Sequence, residues 1–304
     1  MPYIADSVRN VLSRSARPVL ASIWLTTHRD FLLVFNWHQV TPSFDPEIHH
    51  RYTWTALHTF WATINFLTAH FQIVPLQPAL ERARTGNFRG RCVALTFDDG
   101  DVSIADYVAP FLRQRNLPAT FFINTAYLGG DRAYWFTVLS YAGPVLPEGL
   151  RQRALELRTT KDPLFYDDVR RDVEQLSGAV PQLSSRLVSA EWLAKLDADQ
   201  FTIGAHGHEH QRYSMMPEEW QRQDLKRNVE ILSQFRAYRP LFAVPFGRAH
   251  DWNAATLEVA QELGLLVLLA DGGINLTPLP YYRRQPADSL SPTKMVVRAV
   301  MHAD

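Results

Sequence analysis

The sequence has little cysteine, no net charge and no long apolar run. Its 304 residues contain one cysteine, Cys92, which excludes an internal disulfide and a thiolate metal cluster. Its 31 Lys and Arg are balanced by 31 Asp and Glu, so no overall basic field exists to hold nucleic acid. No apolar run approaches the roughly 18 residues that cross a bilayer. What is there can build a core: 46% of residues are hydrophobic and 12% aromatic, which excludes a disordered tail, a collagen and a coiled coil. Length alone suggests two domains of roughly 150 residues, although barrels of about 250 stand as one. With 11 histidines in the chain, the chemistry depends on where they fall.

The first thirty residues stand apart. Arg9, Arg14 and Arg17 precede a short apolar stretch, Val19–Leu25, that loosely imitates a secretory signal. Pro18 opens the stretch and no small-x-small cleavage site follows, so the chain is expected to be uncleaved, not exported and cytoplasmic. Ile4, Val8, Val11 and Leu12 share a helical stripe opposite Arg9 and Arg14. The stripe suits a helix packed on its own domain. It also suits a basic amphipathic helix lying on an acidic membrane surface, which would make the protein peripheral to the inner membrane.

Beyond residue 30, short apolar runs alternate with helical segments. Phe31–Phe35, Val93–Phe97, Thr120–Ile123, Phe201–Ile203, Leu241–Val244 and Leu265–Leu269 read as strands covered on both faces. Helices are expected around Thr55–His70, Ile104–Gln114 and Ala254–Leu263, with another opened by Pro217, Glu218 and Glu219. Repeated β-then-α units imply parallel strands with right-handed crossovers, in a doubly wound sheet or a barrel. Residues 131–195 break the rhythm and read as a helical insertion over the barrel, carrying Trp135, Phe136, Tyr141, Phe165 and Tyr166.

Chemistry-bearing residues gather where strands end. In Thr96-Phe97-Asp98-Asp99-Gly100, neighbouring side chains inside a strand would point to opposite faces, so both aspartates serve one site only if the chain turns there, as Gly100 permits. His206-Gly207-His208-Glu209-His210 places three histidines directly after a strand, a donor set that suits a divalent metal of the zinc type. A coiled chain would pair His206 with His210, and an extended one His206 with His208. Asp99 with two histidines would leave a coordination position for water, which is the catalytic pattern. Asn36-Trp37-His38 and Val244-Pro245-Phe246-Gly247 follow other strand ends, the end at which parallel α/β barrels build active sites.

These residues resemble the polysaccharide deacetylase family, the carbohydrate esterases with a NodB-homology domain. Thr96–Gly100 matches the T-F-D-D-G motif at every position. His206 and His210 match H-[ST]-x-x-H, with Gly207 in place of Ser or Thr. Ala243-Val244-Pro245-Phe246-Gly247 is similar to R-x-P-[YF]-G, with Ala243 where the arginine belongs. His38 resembles the Y-H-x-V histidine of members whose last motif has moved to the N-terminal side.

The resemblance implies a distorted (β/α) barrel over residues 31–285, flanked by an extension at 1–30 and a tail at 286–304. It implies Asp98 as general base, His38 as general acid, and Asp99, His206 and His210 as ligands of a metal, expected to be Zn2+. The Phe246 N–H would face the oxyanion. Pro245, Trp37 and His208 are further candidates for substrate contact, Trp37 and Phe246 by stacking on a sugar face. The implied activity is hydrolysis of an N-acyl group, acetyl first among them, on a nucleotide- or lipid-linked amino sugar for a surface polysaccharide. An O-acetyl esterase and a catalytically impaired carbohydrate-binding homologue are the alternatives. The arginine that normally orients the base is missing. Arg283-Arg284 is expected to be an exposed basic pair, and Asp271 either a site residue or part of an Asp-Gly-Gly turn.

Overall fold

In chain order the elements are α1 (Arg17–Thr27), β1 (Phe31–Trp37), β2 (Gln39–Thr41), β3 (Trp54–Ala56), α2 (Leu57–His70), β4 (Gln72–Ile73), α3 (Leu76–Arg84) and β5 (Arg91–Phe97). A π-helical turn, Ile104–Val108, leads into α4 (Ala109–Arg113), then β6 (Ala119–Ile123), α5 (Glu148–Glu156), α6 (Pro163–Gln175), α7 (Ala190–Ala194) and β7 (Phe201–Ala205). Next come α8 (Glu218–Leu232), β8 (Tyr238–Ala243), α9 (Ala254–Glu262), β9 (Leu266–Leu269), β10 (Tyr282–Arg283), β11 (Gln285–Pro286) and α10 (Pro292–Met301). This computed structural model describes residues 17–45, 49, 53–129, 148–156, 162–175, 187–275 and 280–301.

The main sheet runs β10-β9-β8-β7-β6-β5-β1-β11, with β4 added beside β5. Every pairing in it is parallel. Its two edges meet in one short segment. Tyr282 and Arg283 pair with Leu268 and Leu269 of β9, and Gln285 and Pro286 pair with Phe35 and Asn36 of β1. The sheet is thus nearly closed into the expected barrel, with Arg284 at the joint. Asn275 spans the same seam: its N–H donates to Leu32 O at 3.0 Å and its amide to Arg283 O at 2.9 Å.

The period of two along each strand divides the core. Phe31, Leu33, Phe35 and Trp37 of β1, with Val93, Leu95 and Phe97 of β5, face the outer helices. Leu32, Val34, Ala94, Phe122, Ala243, Leu268 and Tyr282 fill the barrel interior. Leu76, Ala79, Leu80 and Ala83 of α3 close that inner cluster. At the carboxyl ends of the strands the interior turns polar, with Asn36, Thr96, Asp98, His206 and Arg284 all buried.

Both flanks of the barrel pack onto it. The residues expected as a tail from 286 contribute Pro286 to the sheet, then form α10, whose Met295, Val296, Ala299 and Val300 are buried at helical spacing. α1 packs against α10 and buries Ala21, while Val19 and Ile23 face outward. Ile4, Val8, Arg9, Val11, Leu12 and Arg14, the proposed basic helix, lie outside the described residues. So do Trp135, Phe136 and Tyr141 of the expected insertion. Of its described parts, 148–156 and 163–175 are helical while Leu187 bridges to Asp101, and Tyr166 of α6 is buried with its hydroxyl accepting from Arg212 N at 3.1 Å.

Candidate active site

The β5–β1 ladder runs one residue past the strand, where Asp98 N donates to Trp37 O at 2.8 Å. The chain then turns: Asp99 has φ 70° and Gly100 φ 73°. That left-handed pair breaks the alternation that would have sent the two carboxylates to opposite faces. Asp98 stays inside the barrel and Asp99 reaches its rim.

There Asp99 Oδ1 lies 3.3 Å from His206 Nε2 and 3.2 Å from His210 Nε2. One donor atom from each residue falls within a 4.8 Å group. His206 follows β7 directly, and its Nδ1 donates to Ala243 O at 2.7 Å. This bond fixes the tautomer that leaves Nε2 as a lone-pair donor. The loop coils, with Gly207 at φ 75° and His210 at φ 52°, and so joins His206 to the histidine four residues on. His208 turns away, its Nδ1 pairing with Thr125 Oγ1 at 2.8 Å. A buried carboxylate and two imidazoles with converging donor atoms fit a divalent cation of the zinc type.

Asp98 is 3% exposed. Its Oδ1 accepts from Arg284 Nη1 at 2.6 Å and its Oδ2 from Asn36 Nδ2 at 3.3 Å. Burial alone would raise this carboxyl, but Arg284, His206 and His38 together hold it below the usual carboxylate range. On the other side, His38 Nε2 stands 3.9 Å from Asp98 Oδ2. His38 Nδ1 donates to Asp288 Oδ2 at 2.6 Å and its backbone N to Asp288 Oδ1 at 3.1 Å. Burial would lower the imidazole, yet Asp288 outweighs it and His38 is raised to about 10. One group is held ionised and its neighbour protonated, which is how a base and an acid are set side by side at neutral pH.

The family model for polysaccharide deacetylase matches residues 85–268. The chain belongs to the polysaccharide deacetylase family. No protein of curated function matches it in sequence. Solved structures of similar fold include the Streptococcus pyogenes deacetylase PplD in complex with acetate, at 15% identity and a TM-score of 0.61 over 90% of this chain and 99% of that one. IcaB from Ammonifex degensii is similar at 19% identity and TM-score 0.58, over 90% and 97%. A de-N-acetylase from Aggregatibacter actinomycetemcomitans follows at 15% identity and TM-score 0.61, over 88% and 100%.

Two departures from the deacetylase motifs now have physical accounts. Arg284, expected as half of an exposed basic pair, is 1% exposed and bonded to Asp98. It faces inward because the closing segment alternates, Tyr282 in and Arg284 in, whereas Arg283 lies 3.9 Å from Asp271. The guanidinium missing at Ala243 of β8 is therefore supplied by the segment that closes the barrel, one strand beyond β9. At Gly207 a Cβ would come within 3.0 Å of Asp224 Oδ2 and 3.2 Å of Tyr213 Oη. Asp224 of α8 fills the space of the usual Ser or Thr. It accepts from His208 N at 2.8 Å, Glu209 N at 3.0 Å and Tyr213 Oη at 2.7 Å, which fixes the loop between the two histidines.

The substrate candidates divide. Trp37 is a correction: it is 1% exposed and stacks on Phe97 at 5.5 Å, so it packs in the outer core and offers no face to a sugar. The strand's alternation gives the inward place to Asn36, which contacts Asp98. Pro245 is buried, and Phe246 is half-buried with its ring edge-on to His210 at 4.7 Å. Phe246 sits at φ 61°, a strained conformation for a residue with a bulky side chain.

Asp288 was not legible as a site residue, since it lies 250 positions from His38 in sequence. Asp288→Asn should remove the charge that overrides burial, so the His38 pKa should fall. If His38 acts protonated, the alkaline limb of kcat should then move to lower pH by about one unit or more. An unchanged alkaline limb would make Asp288 a structural partner only.

Proposed function

We propose that this deacetylase removes an N-acyl group, acetyl foremost, from an amino sugar destined for a surface polysaccharide. The observation that carries the reading is the placement of Asp98, bonded to Arg284, 3.9 Å from His38, bonded to Asp288, beside the Asp99–His206–His210 donor set. A cation held by those three residues would supply Lewis-acid chemistry, polarising an acyl oxygen and acidifying a water. Asp98 Oδ2 is the base that takes a proton from the attacking water, while Arg284 and Asn36 hold the carboxylate in place. The N–H of Phe246 would donate to the oxygen that gains charge. His38 Nε2 gives its proton to the departing nitrogen as the acyl C–N bond breaks, leaving a carboxylic acid and an amine. A dedicated acid supports an amide substrate over an ester, because an amine leaves poorly until protonated.

The test measures acyl release from matched N-acetyl and O-acetyl sugars together with bound metal by elemental analysis. The amide should be turned over. Asp99→Ala, His206→Ala and His210→Ala should each lose metal and activity together, and His208→Ala should keep most of its metal. Turnover of the ester alone would sink the N-acyl reading, and a metal-free active enzyme would sink the site.

The reading also places the protein on the cytoplasmic side, acting on a nucleotide- or lipid-linked precursor and touching the membrane through residues 1–30. Val19 and Ile23, 61% and 54% exposed one helical turn apart on α1, support the contact. Rising salt should shift the protein from membrane to soluble fractions, since exposed charge attraction is screened. Recovery wholly from the periplasm, cleaved near Thr27, would overturn both placements.

A further inference from the structure

The pair of His38 and Asp288 is held by a third side chain. Asp288 Oδ2 accepts from His38 Nδ1 at 2.6 Å, and its Oδ1 accepts from His38 N at 3.1 Å and from the Thr55 hydroxyl at 3.3 Å. Thr55 and Asp288 are both buried. The contact is reciprocal, since Ser289 N donates to Thr55 Oγ1 at 3.3 Å and the Ser289 hydroxyl donates to Trp54 O at 2.8 Å. Ser289 has φ 57°, a left-handed turn that residues other than glycine adopt at a cost. The bonds to Trp54 and Thr55 hold the chain in that turn.

Thr55 belongs to β3, which pairs in parallel with β2, and β2 begins one residue after His38. This small ribbon lies outside the barrel sheet. Its other strand is tied to the turn that follows the two aspartates: Gln39 Nε2 donates to Asp101 Oδ2 at 3.2 Å, and Val40 N to Ser103 Oγ at 3.1 Å. Directly after β3, α2 buries Leu57, Phe60 and Ile64. The ribbon is thus braced by a core helix and bonded to both segments that bear the proton-transfer groups.

A carboxylate turns easily about its Cβ–Cγ bond. Both bonds from His38 belong to one residue and move with it, so they do not fix the pair against the rest of the site. The Thr55 hydroxyl is the donor that ties the pair to the ribbon, and with it the direction of His38 Nε2.

We propose that Thr55 is a positioning residue for the general acid, its hydroxyl holding Asp288 so that His38 Nε2 faces the departing nitrogen. The proposal rests on the reading of His38 as that acid.

The test compares wild type, Thr55→Val, Thr55→Ser and His38→Ala on an N-acetyl amino sugar and on an activated aryl ester. Valine keeps the branching and strand preference of threonine and lacks the hydroxyl. Thr55→Val should lower kcat on the amide about tenfold with KM little changed, short of the 100-fold or more that loss of an acid typically costs. The ester, whose phenolate leaves unprotonated, should lose far less. Thr55→Ser returns the donor and should recover most of the amide rate. A second readout needs no turnover. The downfield proton resonance of His38 Nδ1–H, assigned by its loss in His38→Ala, should move in Thr55→Val and return in Thr55→Ser. An unmoved resonance overturns the proposal alone. So does an undiminished amide rate, or an equal loss on both substrates, in Thr55→Val while His38→Ala still distinguishes them. If His38→Ala damages amide and ester alike, the acid reading falls and the proposal falls with it.

Discussion

Arg284→Ala is expected to cost both the fold and the reaction. Arg284 and Asp98 are both buried and their charged atoms are 2.6 Å apart. Removing one partner leaves an uncompensated buried charge, which typically destabilises by about 3–5 kcal/mol. The same change removes the group that holds Asp98 below the usual carboxylate range, so its carboxyl should rise. A base that must be ionised is then protonated over more of the acid range, and the acid limb of kcat should move to higher pH. The ion pair contributes stability above the unfolded carboxylate value of about 3.9, and that contribution is lost as pH falls through the folded value.

Arg284→Lys keeps a positive charge in the barrel but loses the fixed fork of donors. It should therefore fold close to normal stability and still lose about tenfold or more in kcat, since a misplaced base costs rate with the fold intact. Ala243 faces the same interior, so Ala243→Arg in the Arg284→Ala background should restore part of the activity by returning the guanidinium to its usual motif. Full activity in a folded Arg284→Ala protein, measured beside its denaturant midpoint, would show that Asp98 needs no such partner.

Arg284 also shows where the sequence stops being informative. The β-α rhythm of residues 31–123 and 201–269 was legible because buried parallel strands are apolar throughout and several are bounded by glycine or proline, as at Gly100, Pro118, Pro245 and Gly264. The two motifs that bring Asp99, His206 and His210 together were legible because their spacing is local. That same unbroken apolar character hid the facing of β1: with both sides buried, no polar alternation marks Asn36 as the inward residue and Trp37 as the outward one. The barrel's closure rests on two residues paired at each side of Arg284, too short a segment to show a pattern. Asp288 and Arg284 reach the site only through that closure. The pairing of His206 with His210 needed the left-handed turn at Gly207, which the residues permit but do not by themselves require.

Asp98→Asn and His38→Ala are expected to separate the two proton transfers, and theirs is the largest contrast the site offers. Both variants should keep the metal donors Asp99, His206 and His210, so elemental analysis should read the same metal content as wild type. Asp98→Asn should lose most turnover on every substrate, because an amide oxygen accepts a proton from water far too weakly. Loss of general-base assistance is typically on the order of 100- to 10,000-fold. His38→Ala should suffer a comparable loss on an N-acetyl amino sugar, whose nitrogen must be protonated to leave. On an activated aryl ester the leaving phenolate needs no proton, so His38→Ala should retain most of its rate there while Asp98→Asn does not. The geometry sets up this asymmetry. Asp98 Oδ2 is 4.0 Å from His206 Nε2, on the side of the metal donors, whereas His38 Nε2 stands 3.9 Å from Asp98 Oδ2 and is fixed from behind by Asp288. Equal damage to amide and ester in His38→Ala would make His38 a structural histidine. The acid would then have to be sought outside this loop, because its remaining imidazole, His208, turns away to Thr125 Oγ1 at 2.8 Å.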